Sequence, residues 1–197
     1  MNNIFKFLSS RIEFSIVFLA AIFGVIFFDI QHDYRAYVSE WISIFNGSYP
    51  NNAYGVIFHF FSPLCALNSK LPKLIFVLLY FLSIYKFIQY NIEEKLIIRI
   101  LLYNPLFWIF GVAYGSNDLM LASLTFLAIL FYINNNQRST GILFSIATNL
   151  KFTPIFIMPF FLFKENKLDF KLLKTITVYT ILFLTIAFYF WDVKLIQ

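Results

Sequence analysis

The feature that most constrains this chain is a series of long apolar runs, at 12–28, 74–90, 96–114, 119–133 and 172–190. Their lengths approach the ~20 residues a helix needs to cross the hydrocarbon of a bilayer. No water reaches that region, so every backbone N–H and C=O must be satisfied within the spanning structure, which leaves helices or a closed barrel. Barrel strands alternate apolar and polar residues; these runs do not, and they read as helices. With 60% hydrophobic and only 13% charged residues, the chain has too little charge to coat a water-facing globule. The 28 Phe and 12 Tyr overfill a soluble core of this size but suit lipid-facing and interfacial positions.

The expected fold is therefore all-α: a polytopic transmembrane helix bundle of about seven helices, forming one transmembrane domain over 1–197. The first run follows Arg11 as a signal peptide would, but ends in Phe27-Phe28-Asp29 without a small-residue cleavage site, so it reads as an uncleaved helix. The formal charge of +5 resides between the apolar runs, as the positive-inside bias places it, and nucleic-acid binding is not expected. A single cysteine, Cys65, excludes an intramolecular disulfide and a thiolate-rich metal site. His32 and His59 show no repeated ligand spacing, so neither a metal nor a cofactor is expected.

Charge sets the topology. Lys6 and Arg11 put the N-terminus in the cytoplasm and the mixed segment 29–69 outside. Glu93, Glu94, Lys95 and Arg99 then fall inside, with Pro105 as a tolerated kink in the third crossing. Gly115-Ser116-Asn117-Asp118 forms an outer turn, and Asn134 to Arg138 an inner one. The stretch 141–163 admits one long span or a hairpin broken at Asn149-Leu150-Lys151-Phe152-Thr153-Pro154. A single span puts Lys164, Lys167, Lys171 and Lys174 outside, against the bias; a broken hairpin returns them to the cytoplasm and leaves Lys151 at the outer end. The chain end at Gln197 is then outside. The location implied is the inner (plasma) membrane, multi-pass.

Within 29–69, Tyr34, Tyr37, Val38, Trp41, Ile42 and Phe45 recur at helical spacing as one apolar stripe, with Asp33, Arg35, Ser39, Glu40, Ser43 and Asn46 off it. This amphipathic helix is too polar to span and should lie flat on the outer leaflet, capped by Gly47. A second short apolar helix, 54–67, is interrupted by Pro63. Asp33 stands at the start of the first, where it suits an N-cap. Asn117 and Asp118 open a helix in the same way. Lys151, between apolar residues at a helix break, needs an anionic partner or must snorkel to the interface. Trp41, Trp108 and Trp191 read as interface markers.

Three pieces of the chain, DYRAYVSEWISIFNGSYP with YGVIFHFFSPL, YGSNDLMLASL, and TGILFSIATNLKFTPIFIMPFF, resemble the GT-C superfamily of glycosyltransferases that use polyprenyl-phosphate sugars. The last is similar to the Lys-x-x-Pro hairpin of bacterial polyprenyl-phosphate mannosyl- and arabinosyltransferases. The order Tyr49-Pro50, and His59-Phe60-Phe61 in place of Tyr-x-Tyr, depart from the family pattern. The resemblance implies an inverting transfer of a hexose, such as mannose, from a polyprenyl-phosphate donor to a lipid-linked or cell-surface glycan acceptor on the non-cytoplasmic face. It implies Asp33 as the catalytic base and Lys151, Asn117, Asp118 and His59 as substrate-binding residues. It also implies that this chain corresponds to an N-terminal half, with the remaining helices lost or supplied by a second chain. The competing expectation is a non-catalytic polytopic subunit of a glycan or lipid transporter, which accounts for the helices but not for Asp33, the flat helix and Lys151 together.

Overall fold

The computed structural model of the chain describes residues 2–48, 50, 54–90, 95–164 and 167–191. Tyr49, Glu93, Glu94 and Gln197 lie outside them. The described residues form helices α1 (Asn2–Phe27), α2 (His32–Phe45), α3 (Val56–His59), α4 (Ser62–Leu67), α5 (Leu71–Tyr90), α6 (Lys95–Leu102), α7 (Asn117–Ile133), α8 (Gln137–Leu150), α9 (Met158–Leu162) and α10 (Phe170–Trp191). A π-helical segment (Phe107–Ala113) follows α6, and a 3-10 turn (Thr153–Phe156) follows α8. Two strands of two residues each, β1 (Phe163–Lys164) and β2 (Lys167–Leu168), pair antiparallel as the turn before α10. The protein is all-α.

Among the described residues, α5 and α10 are long and apolar enough to cross a membrane, and α6 with the π segment makes a third candidate, bent by 42°. The apolar stretches Ile12–Phe27, Val56–Leu67 and Asn117–Ile133 are shorter. The crossings expected at 119–133 and within 141–163 are thus helices whose length alone does not make them full spans. By its contacts the chain divides into two units: Met1–Arg35 with Lys70–Met120, and Ala36–Ser69 with Leu121–Gln197.

The first unit packs α1, α5, α6 and the π segment around one core. Val17, Ala21 and Val25 recur every fourth residue on α1 and meet Val77, Phe81, Ile84 and Ile88 of α5, Ile98 and Leu102 of α6, and Phe107 and Val112 of the π segment. The remaining faces of α1 leave Ile12, Ile16, Leu19, Phe23 and Ile26 exposed, as a lipid-facing helix requires. Pro105 supplies no N–H, and the ladder breaks there. Asn104 bridges the break by accepting from Leu106 N–H on its side-chain oxygen (3.0 Å), and the helix resumes in the wider π register. Glu13 of α1 is paired with the exposed Arg99 of α6 at 3.2 Å.

The second unit is organised by α8 and α10, which run parallel. Gln137 at the start of α8 donates to Asp169 just before α10 (2.5 Å), Gly141 packs on Thr175, and the Ser145 and Thr180 hydroxyls lie 2.9 Å apart. Two parallel neighbours require the chain to travel back along α8 between them, and the 3-10 turn, α9 and the β turn make that return. Phe161 of α9 packs on Phe144 of α8 and on Tyr132 of α7. Ala128, Phe144, Met158, Leu172 and Ile176 form the core beneath. Asp169 caps α10 by accepting from Leu172 N–H at 3.0 Å. This route carries the exposed Arg138, Lys167, Lys171 and Lys174 to one end of the pair. Helix α3 packs at the other end, where Gly55 N–H donates to Leu150 O (3.1 Å) and Trp191 touches His59 and Phe60.

The buried face of α2 is Tyr34, Tyr37, Trp41 and Ile44, while Ile42 and Phe45 are exposed. The expected stripe is therefore rotated, with Ile44 taking the place of Phe45. Aromatic packing from α3 explains the rotation: Tyr54 and Phe58 stack on each other and Phe58 meets Tyr37 and Trp41, whose indole N–H donates to Phe58 O at 2.7 Å.

Candidate active site

The residues singled out from the sequence fall into two groups, one in each unit. Asp33, Asn117 and Asp118 belong to the first unit, His59 and Lys151 to the second.

In the first unit the start of α2 is held by Tyr34, which is fully buried. The Tyr34 hydroxyl accepts from the backbone N–H of Lys73 at the start of α5 (3.0 Å), and its ring presses on Gly115 in the turn before α7. Gly115 has φ +69°, the left-handed region, and a Cβ there would stand 2.8 Å from the Tyr34 ring and 3.1 Å from Lys73 Cδ. Only glycine meets both demands at this point. The consequence is that three segments distant in sequence share one end of the unit: the start of α2 with exposed Asp33, the start of α5 with Lys73, and the turn that carries Asn117 and Asp118. Ser116 caps α7, its hydroxyl accepting from Asp118 N–H at 3.2 Å. Asn117 is buried, and the exposed Asp118 sits in the first turn of α7 with its Oδ2 3.5 Å from the Ser116 hydroxyl.

In the second unit the α3 segment and the end of α8 meet through Gly55, whose absent Cβ would fall 2.0 Å from Asn149 O. Lys151 is the C-cap of α8, half-buried, immediately beyond that contact. His59, one helical turn after Gly55, is fully buried; among the described residues neither ring nitrogen makes a hydrogen bond of good geometry, and the Tyr54 backbone offers only a weak one. Its Nδ1 faces the Glu40 carboxylate of α2 at 3.9 Å, too far for a hydrogen bond. Burial pushes the His59 pKa down to about 4, so the ring is neutral at physiological pH. Among the described residues no group of three His, Cys, Asp or Glu side chains is placed to hold a metal ion.

Lys73 and Glu40 were not singled out from the sequence. Lys73 carries one visible signal: with Lys70 it puts two cations at the end of the 74–90 run that the expected topology places outside, against the bias that places basic residues inside. Glu40 reads as an ordinary member of the polar face of α2, and only the fold reveals that it faces the buried His59.

The apolar helices, with their exposed aliphatic and aromatic faces, define an integral membrane protein of the helical class. No curated protein and no solved structure matches the chain. The model of glycosyltransferase family 87 matches residues 56–194, more than half of the chain, and the protein belongs to this family of membrane glycosyltransferases. The matched region contains His59, Asn117, Asp118 and Lys151, and begins after Asp33.

Proposed function

We propose that the chain transfers a sugar, a hexose, from a polyprenyl phosphate to a lipid-linked or cell-surface glycan acceptor at the non-cytoplasmic face of the inner membrane, through a GT-C type, inverting reaction. The acceptor hydroxyl attacks the anomeric carbon from the face opposite the phosphate. Its proton passes to the Asp33 carboxylate as the new C–O bond forms. The anomeric C–O bond to phosphate breaks with its electron pair going to the polyprenyl phosphate, which gains a second negative charge and needs cations or N–H donors to hold it. Asn117 and Asp118 in the first unit, and Lys151 and His59 in the second, are the sequence-derived candidates for binding the substrates.

The observation that carries this reading is the Tyr34–Gly115 contact, which brings the start of α2, and with it Asp33, to the turn of Asn117 and Asp118. A carboxylate at a helix start is otherwise a cap, and an exposed one close to a second polar turn is better suited to meet a substrate hydroxyl. Membranes containing the protein are to be supplied with a radiolabelled polyprenyl-phosphate sugar. Asp33→Asn keeps the side-chain shape and should lower transfer about 100-fold or more while leaving membrane insertion intact. Near-normal turnover in that variant makes Asp33 a helix cap and defeats the assignment.

A further inference from the structure

Lys73 is the third residue of α5, a candidate span, and is only 1% exposed. Its ammonium has three donors. One goes to Ala113 O, the last carbonyl of the π segment, at 2.9 Å, and the Tyr34 ring centroid lies 5.9 Å from Nζ. Among the described residues the ion pairs are Arg99 with Glu13 and the His59–Glu40 approach, and neither involves Lys73. Lys70 stands close enough to repel it. A buried ammonium without a counter-charge is costly, more so with a like charge beside it and in an apolar bundle. A leucine or methionine would fill the same space without that cost. Yet the surroundings are built around this side chain, since Gly115 lacks a Cβ where one would strike its Cδ, and Tyr34 accepts from its backbone. The cradle contains a positive charge that no carboxylate among the described residues is shown to meet.

We propose that Lys73 receives the phosphate of the lipid donor, as the cation that stands with Asp33 in the same unit. The inference rests on the polyprenyl-phosphate reading given above. The ammonium rests on Ala113 O; the four rotatable bonds of its stem let it turn to a phosphate oxygen, offering the two donors for which the described residues show no acceptor. As the anomeric C–O bond breaks and the phosphate passes from one negative charge to two, the interaction strengthens, which is the condition for it to favour the transition state. Lys151, in the second unit, is then left to bind elsewhere on the lipid substrates or at the interface.

The test is ligand-induced thermal stabilisation of the full chain in detergent, with farnesyl phosphate, farnesol and inorganic phosphate as probes. Farnesyl phosphate should raise the melting temperature of the unaltered protein and farnesol should not. Inorganic phosphate raising it as well supports a site that reads the phosphate alone; its failure to do so supports one that also needs the lipid. In Lys73→Met the farnesyl-phosphate shift should disappear, kcat/KM for the donor should fall about tenfold or more with kcat itself lowered, and the acceptor KM should be unchanged. Lys73→Gln, which keeps a donor for Ala113 O, should lose the shift too and serves if the methionine variant does not fold. Lys151→Met should keep it. A full shift in both Lys73 variants, or its loss only in Lys151→Met, overturns the inference and leaves the donor reading standing. No shift with any probe in the unaltered protein defeats the donor reading itself.

Discussion

At the scale of single residues the chain places polar groups where an apolar solvent makes them expensive, and the expense is measurable. Gly115 is the sharpest case, because its left-handed backbone and the missing Cβ are both required for Tyr34 to close over Lys73. Gly115→Ala should cost about 2–3 kcal/mol, from the left-handed backbone and the displaced ring together, and should appear as a lowered melting temperature in detergent. His59 gives a pH dependence. Helix α3 lies outside the candidate spans, and its histidine has a folded pKa of about 4 against an ordinary 6.5. The unfolded chain therefore binds a proton that the folded chain refuses. Stability is full above pH 6.5 and falls as the pH drops from 6.5 toward 4, by up to about 3 kcal/mol for a 2.5-unit difference. Glu40, the carboxylate facing Nδ1, softens the loss as the ring charges. Melting curves between pH 7 and 4.5 should show this slope and lose it in His59→Phe; equal slopes would mean that other groups set it. Asp33, Asn117 and Asp118 stood out in the sequence as polar residues at helix starts, Lys151 as a cation at a helix break, and His59 through the family resemblance. Lys73 was equally polar but looked like an interfacial lysine, since its burial depends on Tyr34 and Gly115, which adjacent sequence does not reveal.

At the scale of elements, apolar periodicity and turn chemistry located most of the helices, and packing decided the rest. Pro105 marked the interruption between α6 and the π segment, but nothing in the order of residues signals that the helix resumes with a wider turn. The face of α2 was mis-set over its second half, where Ile42 and Phe45 are exposed and Ile44 is covered, because the stacked Tyr54 and Phe58, not the stripe itself, choose which side is covered. Asn149 through Pro154 marked the end of α8, and Pro154 is buried in the 3-10 turn that follows. What no local pattern states is that α8 and α10 lie parallel and close. Gly141 is the residue that permits it, its absent Cβ falling 2.7 Å from Thr175 Cγ2 and 2.8 Å from Thr175 Cβ. Gly141→Val should force the pair apart at a cost of about 1–3 kcal/mol, read as a lower melting temperature. A crosslink engineered between the Ser145 and Thr180 positions, which face each other in the native pair, should form less readily in that variant. An unchanged melting temperature and crosslinking yield would show that the two helices are not held at Gly141.

At the scale of the whole molecule the question is which way the chain sits in its membrane, and the second unit supplies the geometric part of the answer. Helix α8 is 14 residues long, so its ends are about 21 Å apart. At its start lie Arg138 and, through the Gln137–Asp169 hydrogen bond, the first turn of α10 with Lys171 and Lys174 nearby. At its other end lie Lys151 and the α3 segment, joined through Gly55. Basic residues are therefore concentrated at one end of this unit and the α3 segment sits at the opposite end. The positive-inside bias predicts the first end in the cytoplasm and the second outside. Ser48 follows α2 and precedes the α3 segment, and Asn135 immediately precedes α8; both are exposed. With the buried Cys65 replaced by alanine, a cysteine placed at Ser48 should react with a membrane-impermeant thiol reagent added to intact cells. A cysteine at Asn135 should react only after the membrane is opened. The reverse pattern would put the α3 segment on the cytoplasmic side and defeat the orientation drawn from the basic residues of this unit.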